Sequence, residues 1–119
     1  MSNASAQPAA TADLVQGPQR LSLSLTREVT CLRSLAWRCD LPPALHWDGL
    51  VEQLLQAGLS PVATVAGLVR LSAVSGDEIV LVPRSGRVQL RVHYTVPEHE
   101  RRFAAERLFQ LLVSALRLL

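Results

Sequence analysis

From residue 83 to residue 94 the chain reads PRSGRVQLRVHY, and after the turn signal Pro83-Arg84-Ser85-Gly86 polar and apolar residues alternate without a break. Arg87, Gln89, Arg91 and His93 fall on one side; Val88, Leu90, Val92 and Tyr94 fall on the other. Successive side chains of a strand face opposite sides of a sheet, so the pattern predicts a half-buried strand with a cationic outer face. Leu21-Ser22-Leu23-Ser24-Leu25 alternates in the same way. Val62 to Ala66, Leu68 to Val74 and Ile79 to Val82 also read as extended, with Gly67 as a bulge and Ser75-Gly76-Asp77 as a turn. In the segment 68–74, Val69, Leu71 and Ala73 share one face while Arg70 and Ser72 share the other. An antiparallel meander would then place Arg70 beside Arg87 and Arg91.

Two segments change period from two to 3.6. Leu45 to Ala57 carries Trp47, Leu50, Val51, Leu54 and Leu55 on one side, with Asp48 in its first turn and Gly58 as a stop. Pro97 starts a second helix, with Glu98 and Glu100 at its positive end and Glu98 spaced to pair with Arg102. From Phe103 to Leu119 its polar positions, Glu106, Gln110, Ser114 and Arg117, form a single narrow strip. A surface helix needs an apolar stripe a little over ~100° wide, and this one is wider. One side is expected to cover the sheet, and the surplus, Phe109, Val113 and Leu116, to meet a partner.

Residues 27–39 fit both a helical face and an alternating strand, with Val, Thr, Cys and Trp favouring strand. Residues 1–19, rich in Ala, Ser, Gln and Pro, show no period and read as a disordered tail ahead of one domain at 20–119. The fold class expected is α+β. It is an antiparallel sheet of four or five strands with two helices packed on one face, the long C-terminal helix crossing it. The expected core is Leu23, Leu50, Leu54, Val69, Leu71, Leu81, Val88, Leu90, Val92, Ala105, Leu108 and Leu112.

Composition narrows the function classes. The chain is 49% hydrophobic with 22 leucines, which leaves apolar surface for a partner, yet no run reaches membrane-spanning length. All 12 basic residues are arginine, as GC-rich coding would produce, and a net charge of +2 is too small to imply nucleic acid by itself. Cys31 and Cys39 lack the spacing of a metal site, and the N-terminal segment has no signal-peptide pattern. The expected compartment is the cytoplasm, with both thiols reduced.

No phosphate loop, dinucleotide fingerprint, nucleophile elbow or metalloprotease motif is present, so no catalytic, cofactor-binding or metal residue is assigned. A dyad of His93 with Cys39 or Asp40 is the sharpest catalytic alternative. His46, next to Trp47 and Asp48, reads as capping or packing, and His99 as a solvated first-turn residue. Trp37 and Trp47 would need further aromatics to serve as base-stacking platforms.

From residue 69 onward the order is strand, strand, the turn Ser85-Gly86-Arg87-Val88, strand, then a long helix containing Ala104-Ala105-Glu106. This half of the chain resembles the repeat of TATA-binding proteins, which also carry a helix ahead of the strands, where Leu50 to Leu55 falls here. The resemblance implies a curved sheet gripped by a helix, and DNA binding as the activity. That family has two tandem repeats where this chain has room for one. Its apolar wedge is not evident either, since the strand ends Val82-Pro83.

The leading expectation is a non-catalytic protein-interaction or assembly module. It would bind another protein, or itself as a homodimer, through Phe109, Val113 and Leu116 and through the sheet face of Arg70, Arg87, Arg91 and His93. Nucleic-acid binding by that arginine face is the alternative, and a small anionic ligand or enzymatic role the second. No membrane partner is expected.

Overall fold

A computed structural model describes residues 8–16, 19–28, 35–62, 65 and 67–119. The strands are β1 (Ala10–Gln16), β2 (Gln19–Arg27), β3 (Ala36–Asp40), β4 (Ser60–Pro61), β5 (Val69–Ser72), β6 (Glu78–Val82) and β7 (Arg87–Arg91). Helix α1 (Trp47–Gln56) joins β3 to β4, and a 3-10 turn, Glu98–Glu100, leads into α2 (Arg101–Arg117).

All seven strands form one antiparallel sheet in the order β1-β2-β3-β7-β6-β5-β4. This corrects the expected four or five strands. The extra strands are ones that sequence period alone could not recover. In β1 the inward positions are Ala10, Ala12 and Leu14, opposite Leu25, Leu23 and Leu21 of β2. Two alanines make a weak apolar signal, yet short side chains suit a strand that α2 packs against. Residues 8–16 therefore belong to the domain and not to a tail. β4 is only two residues long, too short to show a period, and β3 makes residues 36–39 of the ambiguous segment strand; residues 29–34, Cys31 among them, lie outside the described set.

The register assembles one apolar surface from inward positions on every long strand. Leu23 and Leu25 of β2, Trp37 and Cys39 of β3, Val88 and Leu90 of β7, Ile79 and Leu81 of β6 and Leu71 of β5 are all buried. Leu50 and Leu54 of α1 and eight residues of α2 join them in a single core cluster. The expected core positions are all buried except Val69, which is half-buried against the cluster.

Helix α2 touches β1 and β7 of the sheet and also α1, so its broad apolar surface is met by both the sheet and a second helix. Phe109, Val113 and Leu116 are 0%, 1% and 1% exposed. The surplus apolar face attributed to a partner is covered by this chain's own elements. What remains outside on α2 is a strip through Phe103, Arg107, Gln110, Ser114 and Arg117. Arg102 pairs with Glu106, Nε to Oε2 3.1 Å, and not with Glu98, which the 3-10 turn places outside the helix.

The β6–β7 turn requires its glycine. Gly86 sits at φ +80°, and a Cβ there would run into the Leu41 carbonyl, while the Leu41 N–H donates to the Gly86 carbonyl at 2.7 Å. This contact ties the end of β3 to the hairpin that positions β7. Among the described residues no helix is long and apolar enough to cross a membrane.

Candidate binding cleft on the uncovered sheet face

Both helices pack on the apolar face, and among the described residues no helix or strand packs on the other. The register places Arg70, Val80, Gln89 and Arg38 in one row across this uncovered face, with Ser72, Glu78, Arg91 and Ala36 in the next. The alternation expected for β7 holds: Arg87 and Arg91 are exposed, Gln89 is half-buried, and Val88 and Leu90 are in the core.

Arg70 and Arg38 are not free cations waiting for phosphate. Arg70 grips Glu78 with Nε to Oε1 at 3.1 Å and Nη2 to Oε1 and Oε2 at 3.0 and 2.9 Å. The hydrogen bonds and charge of Glu78 raise the Arg70 pKa further above its usual value. Arg38 donates to Asp40 at 3.1 Å, and Asp40 stands opposite Arg87 in the register. Arg91 Nε donates to Gln89 Oε1 at 2.7 Å, and Gln89 Nε2 donates to Glu28 Oε1, also at 2.7 Å. The predicted cationic face is thus a compensated lattice in which most positive charges have a carboxylate close by. Val80 and Ala36, in the same two rows, are only 4% and 7% exposed.

Where this face meets the ends of the strands, a cleft of about 410 Å³ opens. Leu35, Ala36, Val92 and Tyr94 supply apolar wall, and the Arg70–Glu78 pair, Gln89, Arg91, His93 and Gly76 complete it. β7 ends at Arg91, so His93 lies beyond the strand on which it was expected, although still at the cleft. Its backbone N–H donates to Asp77 Oδ1 at 2.7 Å, and its ring lies 4.4 Å from that of Tyr94. Gly76, at φ +95°, lets the β5–β6 turn approach this ring, since a Cβ would stand 2.7 Å from His93 Cδ2.

Asp77 organises this corner. It is the one buried charged residue among those described, at 7% exposure, and its Oδ2 accepts from the Ser75 hydroxyl at 3.1 Å. The carboxylate clips the β5–β6 turn to the segment leaving β7. Sequence reading missed it because Ser75-Gly76-Asp77 carries an ordinary turn signal; its partner is 16 residues away. Glu78 was missed for the same reason. Its link to Arg70 is diagonal across a hairpin whose register the sequence does not state.

The alternative chemical arrangements separate. Cys39 faces the core, on the opposite side of the sheet from the cleft, and burial, with the Asp40 charge adding, pushes its thiol up to about 12. Asp40 pairs with Arg87, six residues before His93, which is about 20 Å along a strand. Neither can reach His93. Trp37 is buried in the core, and Trp47 is half-buried with Nε1 donating to the Pro43 carbonyl at 2.9 Å, so neither offers an open ring face for base stacking. His46 lies at the start of α1, its ring beside Gly49, and His99 is exposed next to Glu100. Among the described residues no group of three or more His, Cys, Asp or Glu is placed to hold a metal ion.

Comparison of the chain with protein-family models, curated proteins and solved structures finds no match. The likeness to TATA-binding repeats therefore rests on the residues quoted for it.

Proposed function

We propose that this chain is a non-catalytic protein-binding module that works through the uncovered face of its sheet. One observation carries this: among the described residues, helices cover the seven-stranded sheet on one face and not the other, and that other face holds a cleft with apolar walls. Tyr94 and Val74, 69% and 102% exposed, stand at the same end of the sheet as the cleft. Exposed large apolar side chains beside a concavity suit a polypeptide partner. The α2 residues expected to meet a partner, Phe109, Val113 and Leu116, have no part in this, because they are consumed in the core. Nucleic acid is the weaker occupant, since Arg70 and Arg38 are each bound to a carboxylate and Arg87 stands opposite Asp40.

The test is site-specific photo-crosslinking in the cells that express the chain. A benzophenone amino acid at Ser72 on the bare face should yield a discrete protein adduct. The same group at Gln110, on the exposed strip of α2, should not. Equal adducts from both positions, or none from Ser72, would overturn the proposal.

A further inference from the structure

The hydrogen-bonding capacity of the cleft is unevenly spent. Both Glu78 oxygens are taken by Arg70, and Gln89 is used at both ends, its oxygen by Arg91 and its nitrogen on Glu28. At His93, the Thr95 backbone N–H donates to Nδ1 at 3.3 Å and the Thr95 hydroxyl stands 2.7 Å from the same atom. Nδ1 is thereby held as an acceptor, which places the proton of the neutral ring on Nε2. Among the cleft's described nitrogens, those with donor capacity left include the terminal nitrogens of Arg91 and Nε2 of His93. The cleft's carboxylate, Glu78, already accepts three hydrogen bonds from Arg70. Its charge is equally one-sided: Arg70 and Glu78 cancel, and Arg91 leaves a single positive charge on the lining.

We propose that this cleft receives a carboxylate carried next to an apolar side chain on a segment of the protein partner. Arg91 and His93 hold the carboxylate, while Leu35 and Tyr94 hold the side chain. This rests on the bare face being the partner surface, and it adds the chemistry that is recognised. A guanidinium matches the two oxygens of a carboxylate with parallel N–H bonds. One uncompensated positive charge suits a monoanion better than a phosphate dianion, which would lie beside Glu78. The apolar walls give a free anion nothing to gain, whereas they desolvate a leucine-sized group. A volume of about 410 Å³ is at the small end for ligand sites and fits one such side chain with its carboxylate.

The experiment is an amide-resolved NMR titration of the whole chain with three probes at equal ionic strength: N-acetylleucine, its neutral amide N-acetylleucinamide, and inorganic phosphate. N-acetylleucine should shift the Gly76, Arg91 and His93 resonances saturably, and the amide and phosphate should bind at least about ten-fold more weakly. Arg91→Gln, at an exposed position, should keep a dispersed spectrum and lose about ten-fold in N-acetylleucine affinity, with Arg91→Lys falling between. Equal shifts from the amide would overturn the carboxylate assignment, and tighter binding of phosphate would overturn the apolar requirement. Silence of the cleft towards all three would overturn the proposal outright. In each of these cases the bare-face reading still stands or falls separately, on the crosslinking result at Ser72.

Discussion

Cys39 and Asp77 are both buried, and the two sites handle burial in opposite ways. Asp77 is surrounded by donors, the His93 N–H and the Ser75 hydroxyl, so it can hold two segments of backbone together. Removing its carboxylate would leave the His93 N–H without its partner, at the corner where the cleft is built. Cys39 sits among apolar side chains, and its thiol is raised from 9.0 to about 12. A thiol whose pKa is higher folded than unfolded binds its proton more tightly when folded. That contribution is fully present below about pH 9 and is lost as pH climbs toward 12, by at most on the order of 1.4 kcal/mol per pH unit. In a Cys31→Ser background, urea unfolding from about pH 8 to about pH 10.5 should show stability falling more steeply with Cys39 present than in Cys39→Ala. Parallel pH profiles would mean that Cys39 is not held neutral by the core.

At the scale of elements, α2 decides most of the packing. Its buried set, Ala104, Ala105, Leu108, Phe109, Leu112, Val113, Ala115 and Leu116, spans more than one helical face because the sheet lies on one side and α1 on the other. Truncating a leucine in such a site removes its transfer energy and leaves a cavity. Leu116→Ala should therefore lower stability by about 2–5 kcal/mol, read from the urea midpoint, with no change in oligomeric state. A variant that kept its stability and lost an assembly would return this face to the partner role assigned from sequence. The sheet edges differ in a related way. β4 is two residues long and ends in Pro61, which blunts that edge, whereas β1 runs for seven residues.

For the whole molecule the question is what its field and shape invite. The net charge is +2, and the sheet face that looked cationic in sequence is laced with Glu78, Asp40 and Glu28. With Arg70 and Arg38 paired and the net charge this small, that face has little counterion release to gain on nucleic acid. Light scattering after size exclusion, at about 50 mM and about 500 mM salt, should give the same mass at both, with no co-eluting nucleic-acid absorbance. Nucleic acid carried at low salt and shed at high salt would move the function to the arginine face.

The period-two pattern of residues 87–91 and the 3.6 period of α1 and α2 were legible because each is a local property of the chain. They set the α+β class, nearly the whole core, and the placement of Arg70, Arg87 and Arg91 on one sheet face. Sequence could not count the strands, since β1 turns alanines inward and β4 is too short to have a period. Nor could it say what covers α2, because an apolar stripe looks the same whether a sheet, a second helix or another protein lies on it. The compensation of the arginines likewise came from register. Arg70 and Glu78 are eight residues apart, Gln89 and Glu28 sixty-one, and only strand pairing brings either couple within hydrogen-bonding distance. Composition and period thus determined which residues face inward. Tertiary structure decided which polar groups are spent on each other and which residues line the cleft.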